Sequence, residues 1–207
     1  MIRDFGKQIA IVLLSVSLAG FVIAETEDDG WMSYLEGAAA YEAKKYALAL
    51  SKFLEAAELG NADAQFGLGV MYDEGLGVPQ NHTEAVKWFR LAAEQGNSEA
   101  QFNLGVMYYD GRGVPQNYAE AVKWYRLAAE QGYASAQNNL GVMYNDGRGV
   151  PQNGVMAYVW ESLAAAQGYE VAKHNRGISA EQLTPEQLAR AQEIAARCFE
   201  SNYKDCN

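Results

Sequence analysis

Residues 61–96 and 97–132 match at 27 of 36 positions without a gap. A third stretch, 133–168, keeps AQ, NLGVMY, DGRGVPQN and AAAQG in the same register. So strict a 36-residue period admits few folds. Each unit is too short to bury its own apolar face, so neighbours must stack and share a core.

Within a unit the pattern predicts two helices. Ala64, Leu68 and Tyr72 recur at i, i+4 and i+8, one face of a helix. Gly69 interrupts that helix at a cost of roughly 1 kcal/mol relative to Ala, tolerable where a neighbouring backbone must approach. The loop 73–80 carries Gly75 and Gly77, then Val78-Pro79, which holds the chain extended. Asn81 is placed to cap the second helix, with Glu84 three residues on for a capping box; Asn117 and Glu120 repeat the device. The second helix is expected to bury Ala85, Trp88, Leu91 and Ala92. Gly96, Gly132 and Gly168 stand where a helix ends in a left-handed residue.

The flanks are altered copies. Residues 25–60 form an N-terminal unit whose second helix keeps the 36-residue spacing, while its first helix aligns 32 residues back, Gly37 to Gly69. It therefore lacks the GxGV insertion and turns tightly. Residues 169–207 read as a C-terminal capping unit: Ala172 and Gly177 echo a first helix, but Arg176 replaces a buried leucine. Thr184-Pro185-Glu186-Gln187 then starts a final helix with a capping box.

The repeated pattern, A-Q-x-x-L-G-V-M-Y through G-x-G-V-P-Q-N to A-A-E-Q-G, resembles the SEL-one-like repeat (SLR) family, relatives of the tetratricopeptide repeat. The resemblance implies an all-α, right-handed solenoid with a concave inner surface, and a scaffold or adaptor role toward protein partners. By the same resemblance, the side of each first helix opposite Ala64, Leu68 and Tyr72 lines the concave face. That face carries Asp63, Phe66, Val70, Asp73 and Glu74, then Glu99, Phe102, Val106, Tyr109 and Asp110, then Ser135, Asn138, Val142, Asn145 and Asp146. The N-terminal unit adds Trp31, Tyr34 and Tyr41. The expected groove is aromatic in its middle and acidic along its rim, suited to a protein or peptide segment with apolar anchors and basic flanks. Phe66 and Phe102 either face this groove or pack between units; the pattern leaves both open.

Charge narrows the partners. Lys and Arg total 16 against 26 Asp and Glu, a net charge of −10. Nucleic acid and anionic membranes call for clustered cations and are not expected partners. Residues 1–24 read as a secretory signal, with Arg3 and Lys7 ahead of an apolar run from Ile9 to Ala24 and cleavage expected after Ala24. The mature chain, with a net charge near −11 once Arg3, Asp4 and Lys7 are gone, is expected to be periplasmic or secreted, monomeric and free of the membrane.

Catalytic signals are sparse. His82 and His174 lie on different units, and His82 occupies the loop position of Tyr118, where solvent exposure is expected. No His/Cys cluster has metal-ligand spacing, and no cofactor motif occurs. Glu94 and Glu130 repeat on what should be exposed helix faces. Ser201-Asn202-Tyr203-Lys204 fits S-x-x-K, the nucleophile motif of penicillin-recognising enzymes, but the S-D-N and K-T-G elements are missing. Some cysteine-rich SLR proteins recognise β-lactams, which keeps a cell-wall-linked or weakly β-lactamase-like role as the alternative; those relatives carry a cysteine pair in every repeat. Here there is one pair, Cys198 and Cys206, and in an exported chain that spacing predicts a bridge.

Overall fold

The computed structural model describes residues 30–206; the expected signal segment lies outside them. The described residues form ten helices and no strand. The first helices of the units are α1 (Trp31–Glu42), α3 (Ala62–Glu74), α5 (Ser98–Asp110), α7 (Ala134–Asp146) and α9 (Glu170–Gln182). The second helices are α2 (Tyr46–Glu58), α4 (His82–Glu94), α6 (Tyr118–Ala129) and α8 (Gly154–Ala166), and α10 (Pro185–Glu200) closes the chain.

Consecutive helices pack on one another throughout α1 to α9, giving an all-α solenoid. First helices also approach each other across units: α1 with α3, α3 with α5, and α7 with α9. No comparable approach joins α2, α4, α6 and α8. In a curved stack the layer whose members crowd is the inner one, so the first helices line the concave side.

Local chemistry sets the helix ends. The Asn61 and Asn97 side chains accept from the amides of Ala64 and Ala100, capping α3 and α5. Asn81 accepts from Thr83 and Glu84. The expected capping box at this residue does not close. The Asn81 amide donates to Tyr72 O at 2.8 Å, and the Asn117 amide to Tyr108 O at 2.9 Å, so a longer-range loop bond takes the donor that the glutamate would have met. Glu84 instead pairs with Lys87. At Thr184 and Gln187 both halves of the box are present.

The buried stripe of the second helix also differs from expectation. Ala85, Val86, Phe89, Ala92 and Ala93 are buried, Trp88 is half-buried and Leu91 is 46% exposed. The stripe is centred on Phe89 because that ring lies over Gly69 in the partner helix: a Cβ at residue 69 would collide with it. Gly105 stands in the same relation to Tyr125, with a Cβ 2.6 Å from the ring. The mid-helix glycine thus makes room for a ring of its own repeat, not for neighbouring backbone. Gly113, at φ 70°, packs its α-carbon face on the His82 carbonyl of the preceding repeat, so both its conformation and its missing side chain are required.

Polar ladders stitch the repeats. Buried Gln101 donates to Ala93 O at 3.1 Å, satisfying a carbonyl at the end of α4, and accepts from Gln131 at 2.7 Å. Gln65 with Gln95, and Gln137 with Gln167, do the same. Arg90 donates to Tyr108 Oη at 2.6 Å, and Arg126 to Tyr144 Oη at 2.7 Å, joining each second helix to the next first helix.

The C-terminal end departs from the repeat. Rather than pairing with α9, α10 turns back onto α8, burying Ala191, Ile194 and Cys198 in the same core as Tyr125 and Trp160. Tyr203, with φ 66°, reaches the turn at Gly132.

Candidate functional site: the concave face

The concave residues fall into rows, one residue per first helix, ordered by depth along the helices. The first row is Trp31, Asp63, Glu99, Ser135 and Val171. The second is Tyr34, Phe66, Phe102, Asn138 and His174, and the third Ala38, Val70, Val106, Val142 and Ile178. Two further rows hold Tyr41, Asp73, Tyr109, Asn145 and Glu181, then Glu42, Glu74, Asp110, Asp146 and Gln182.

The second row answers the question left open for the phenylalanines. Both rings are half-buried. Phe66 packs on Phe89, and Phe102 on Tyr125, each pair at 5.9 Å between centroids; Phe102 also meets Tyr133 at 5.2 Å. One side of each ring therefore belongs to the core and part remains accessible. Tyr34 continues the row, 5.4 Å from Trp31 and 6.1 Å from Phe53. The aromatic row stops at the third repeat. Asn138 is only 5% exposed, because Asn175 of α9 covers it and donates to its Oδ1 at 3.0 Å. Its expected place on the accessible lining is thus corrected to a buried one.

Three acids of the rim, Asp73, Asp110 and Asp146, are paired from within. Asp73 accepts from His82 Nδ1 at 2.7 Å and from Arg112 at 3.4 Å. His82 is consequently partly buried and bonded, where exposure was expected. Arg112 also lies 3.4 Å from Asp110, and Arg148 lies 3.4 Å from Asp146. Arg148 donates to the Tyr109 hydroxyl and sits over the rings of Tyr109 and Tyr118. The fourth row is thus a seam: the loop arginine of one repeat ties residue 73 or 109 of the repeat before.

Asp63 and Glu99 differ. Asp63 accepts from Asn97 Nδ2 at 2.8 Å, Glu99 accepts from Ser98 Oγ at 3.1 Å, and among the described residues no ion pair reaches either carboxylate. Burial, reinforced by the nearby Glu99, raises the Asp63 pKa above the ordinary aspartate range despite the Asn97 bond. Burial and the carboxylates of Asp63 and Glu99 likewise push the Tyr34 hydroxyl up, and burial and Glu99 push up Tyr133. These four side chains share one electrostatic neighbourhood.

Elsewhere, Glu94 and Glu130 are exposed. The Ser201 hydroxyl donates to Cys198 O and accepts from the Asp205 amide, each at 2.9 Å, which occupies it as an end cap of α10. Cys198 and Cys206 are joined by a disulfide, Cα to Cα 4.5 Å. Among the described residues no group of three His, Cys, Asp or Glu is placed to hold a metal, and no helix is long and apolar enough to cross a membrane.

The Sel1 repeat matches residues 62–97, 98–133 and 134–169, half of the chain. The chain belongs to the Sel1-repeat family. Two solved Sel1-type structures are similar to it. One is the crystal structure of a Sel1 repeat protein from Oxalobacter formigenes, 36% identical with a TM-score of 0.70, over 82% of this chain and 72% of that one. The other is c5321, a protective antigen present in uropathogenic Escherichia coli strains and displaying an SLR fold. It is 30% identical with a TM-score of 0.58, over 84% of this chain and 46% of c5321, so the chain spans under half of that antigen. No curated protein matches. Sel1 repeat proteins generally act as protein-interaction scaffolds and are typically non-enzymatic.

Proposed function

We propose that this Sel1-repeat protein is an exported scaffold whose concave face binds a segment of a protein partner. The observation that carries the reading is the floor of that face: Tyr34, Phe66 and Phe102 run beside the unbroken apolar row Ala38, Val70, Val106, Val142 and Ile178. Half-buried aromatics held by a rigid core supply contact area at small entropic cost. Export is supported by the disulfide, which persists in oxidising compartments, and by the composition of residues 1–24. The β-lactam alternative is the weaker reading: the Ser201 hydroxyl is engaged in capping α10.

The test is photo-crosslinking in the native envelope. Benzoylphenylalanine replaces Phe102 on the floor in one variant and Leu127 on the outer face in another. Discrete adducts from position 102, reduced by Val106→Lys, support the groove. Adducts from position 127 alone overturn it.

A further inference from the structure

We propose that α9 is a pH-gated latch at the C-terminal end of the concave face, docked while the Glu161 carboxyl carries its proton and released once that proton is lost. The latch stands apart from what the face binds. Only its consequence, the length of the floor, rests on the groove reading.

The seam under α9 is unlike those before it. Earlier seams carry an arginine–tyrosine bond and a glutamine bonded to a carbonyl, as with Arg126 to Tyr144 and Gln137 to Ala129 O. At α8 and α9 the equivalent positions are Ser162 with Ala180, which cannot form the first bond, and Lys173, which pairs with Glu170 instead. Two other bonds hold α9: Ser179 Oγ to Glu161 at 2.7 Å, and Asn175 Nδ2 to Asn138 at 3.0 Å. Asn138 and Glu161 stand where Phe102 and Tyr125 pack ring on ring, so an aromatic pair has become a polar one. α9 buries only Ala172 and Ser179, whereas α5 buries Ala100, Gln101, Leu104, Gly105 and Met107. With α10 turned onto α8, nothing lies over Gly177.

One of the two bonds depends on a proton. Glu161 is 2% exposed, packed on Gly141 of α7 and closed over by Ser179. A carboxylate there would have one hydroxyl donor in place of water, which disfavours its charge. The helices packed on α8 bring it no cation. Among the described residues, Lys173 and Arg197 pair with Glu170 and Asp205, Asp146 of α7 pairs with Arg148, and no ion pair joins Glu161 to His174, Arg176 or Glu181 of α9 or to Arg190 or Glu193 of α10. Burial accordingly raises its pKa to about 7, partly offset by Ser179.

Both ends of α9 stay tethered, one to α8 and the other to α10, which Ala191, Ile194 and the disulfide hold in the core. The helix can therefore leave without freeing the chain end. Its release bares Asn138 and removes Val171, His174 and Ile178 from the concave rows, shortening the floor by one helix.

Released, Glu161 regains the ordinary value of 4.5, so opening becomes easier as pH rises from there toward 7 and levels off above. The experiment is native-state amide exchange on the mature chain, with intrinsic exchange rates divided out. Between about pH 5 and about pH 7.5, protection of the slowest α9 amides is expected to fall about fiftyfold, with α3 and α5 little changed. Glu161→Gln should abolish that fall. Ser179→Ala should lower protection at both pH values and keep the pH dependence, as should His174→Asn at wild-type protection. Protection of α9 that ignores pH, a fall that persists in Glu161→Gln or vanishes in His174→Asn, or an equal fall in α3 and α5 overturns the latch. A floor that captures nothing at position 102 counts against the groove and leaves these exchange results standing.

Discussion

The Ser179 hydroxyl donates to the Glu161 carboxylate at 2.7 Å inside the core of the third repeat. Glu161 is 2% exposed and stands at the position filled by Phe89 and Tyr125 in the repeats before. Burial raises its pKa from 4.5 to about 7, partly offset by the Ser179 bond. The folded chain therefore holds a proton that the unfolded chain releases. The contribution is most favourable below about pH 4.5 and is lost as pH rises toward 7. Glu161→Gln should make the protein more stable at pH 8, by on the order of 2–3 kcal/mol, and little changed near pH 4.5. Urea melts of both proteins at the two pH values check this; an equal offset at both rejects it.

The mid-helix glycines allow a paired prediction. Gly105→Ala forces a methyl into the Tyr125 ring and should destabilise the fold by about 1–3 kcal/mol. Gly177 is the equivalent residue of α9, but α10 packs on α8 and leaves nothing within 4 Å of a Cβ there. Gly177→Ala should be neutral or stabilising by up to about 1 kcal/mol through helix propensity. Thermal melts of both variants compare the two sites; equal losses would mean that α9 has a covering helix in solution.

The Cys198–Cys206 bond closes a nine-residue loop. In the chain-entropy model it stabilises the C-terminal end by roughly 2–3 kcal/mol. Unreduced, unfolded protein should titrate no free thiol. Reduction should raise amide exchange in α10 and α8 before α3 or α5, since repeat stacks respond locally.

Protein recovered from the envelope fraction should begin at Glu25 by intact mass. A chain that keeps Met1 and sediments with membranes would show that the apolar segment is an anchor.

Much of this architecture is legible from periodicity, because helix register and loop chemistry repeat with the chain. Asn81 and Asn117, as caps, and the Gly-x-Gly loops carry their roles openly. Other roles depend on three-dimensional meetings. Gln65, Gln101 and Gln137 look like surface residues, yet each is buried and bonded to a carbonyl eight residues earlier. Their exact recurrence was the available signal. Phe89 replaces Leu91 as the centre of the buried stripe because Gly69 opposes it across the hairpin. Asp73 and Tyr109 read as groove lining until the curvature of the stack brings Arg112 and Arg148, 39 residues on, against them.

The seams between successive full units are chemically alike: Arg90 to Tyr108 and Gln101 to the Ala93 carbonyl at one, Arg126 to Tyr144 and Gln137 to the Ala129 carbonyl at the next. A coding segment exchanged out of register by one period would add or remove a whole unit while leaving every join chemically familiar. The length of the stack is therefore open to change by recombination in single steps of 36 residues, without any new interface having to evolve.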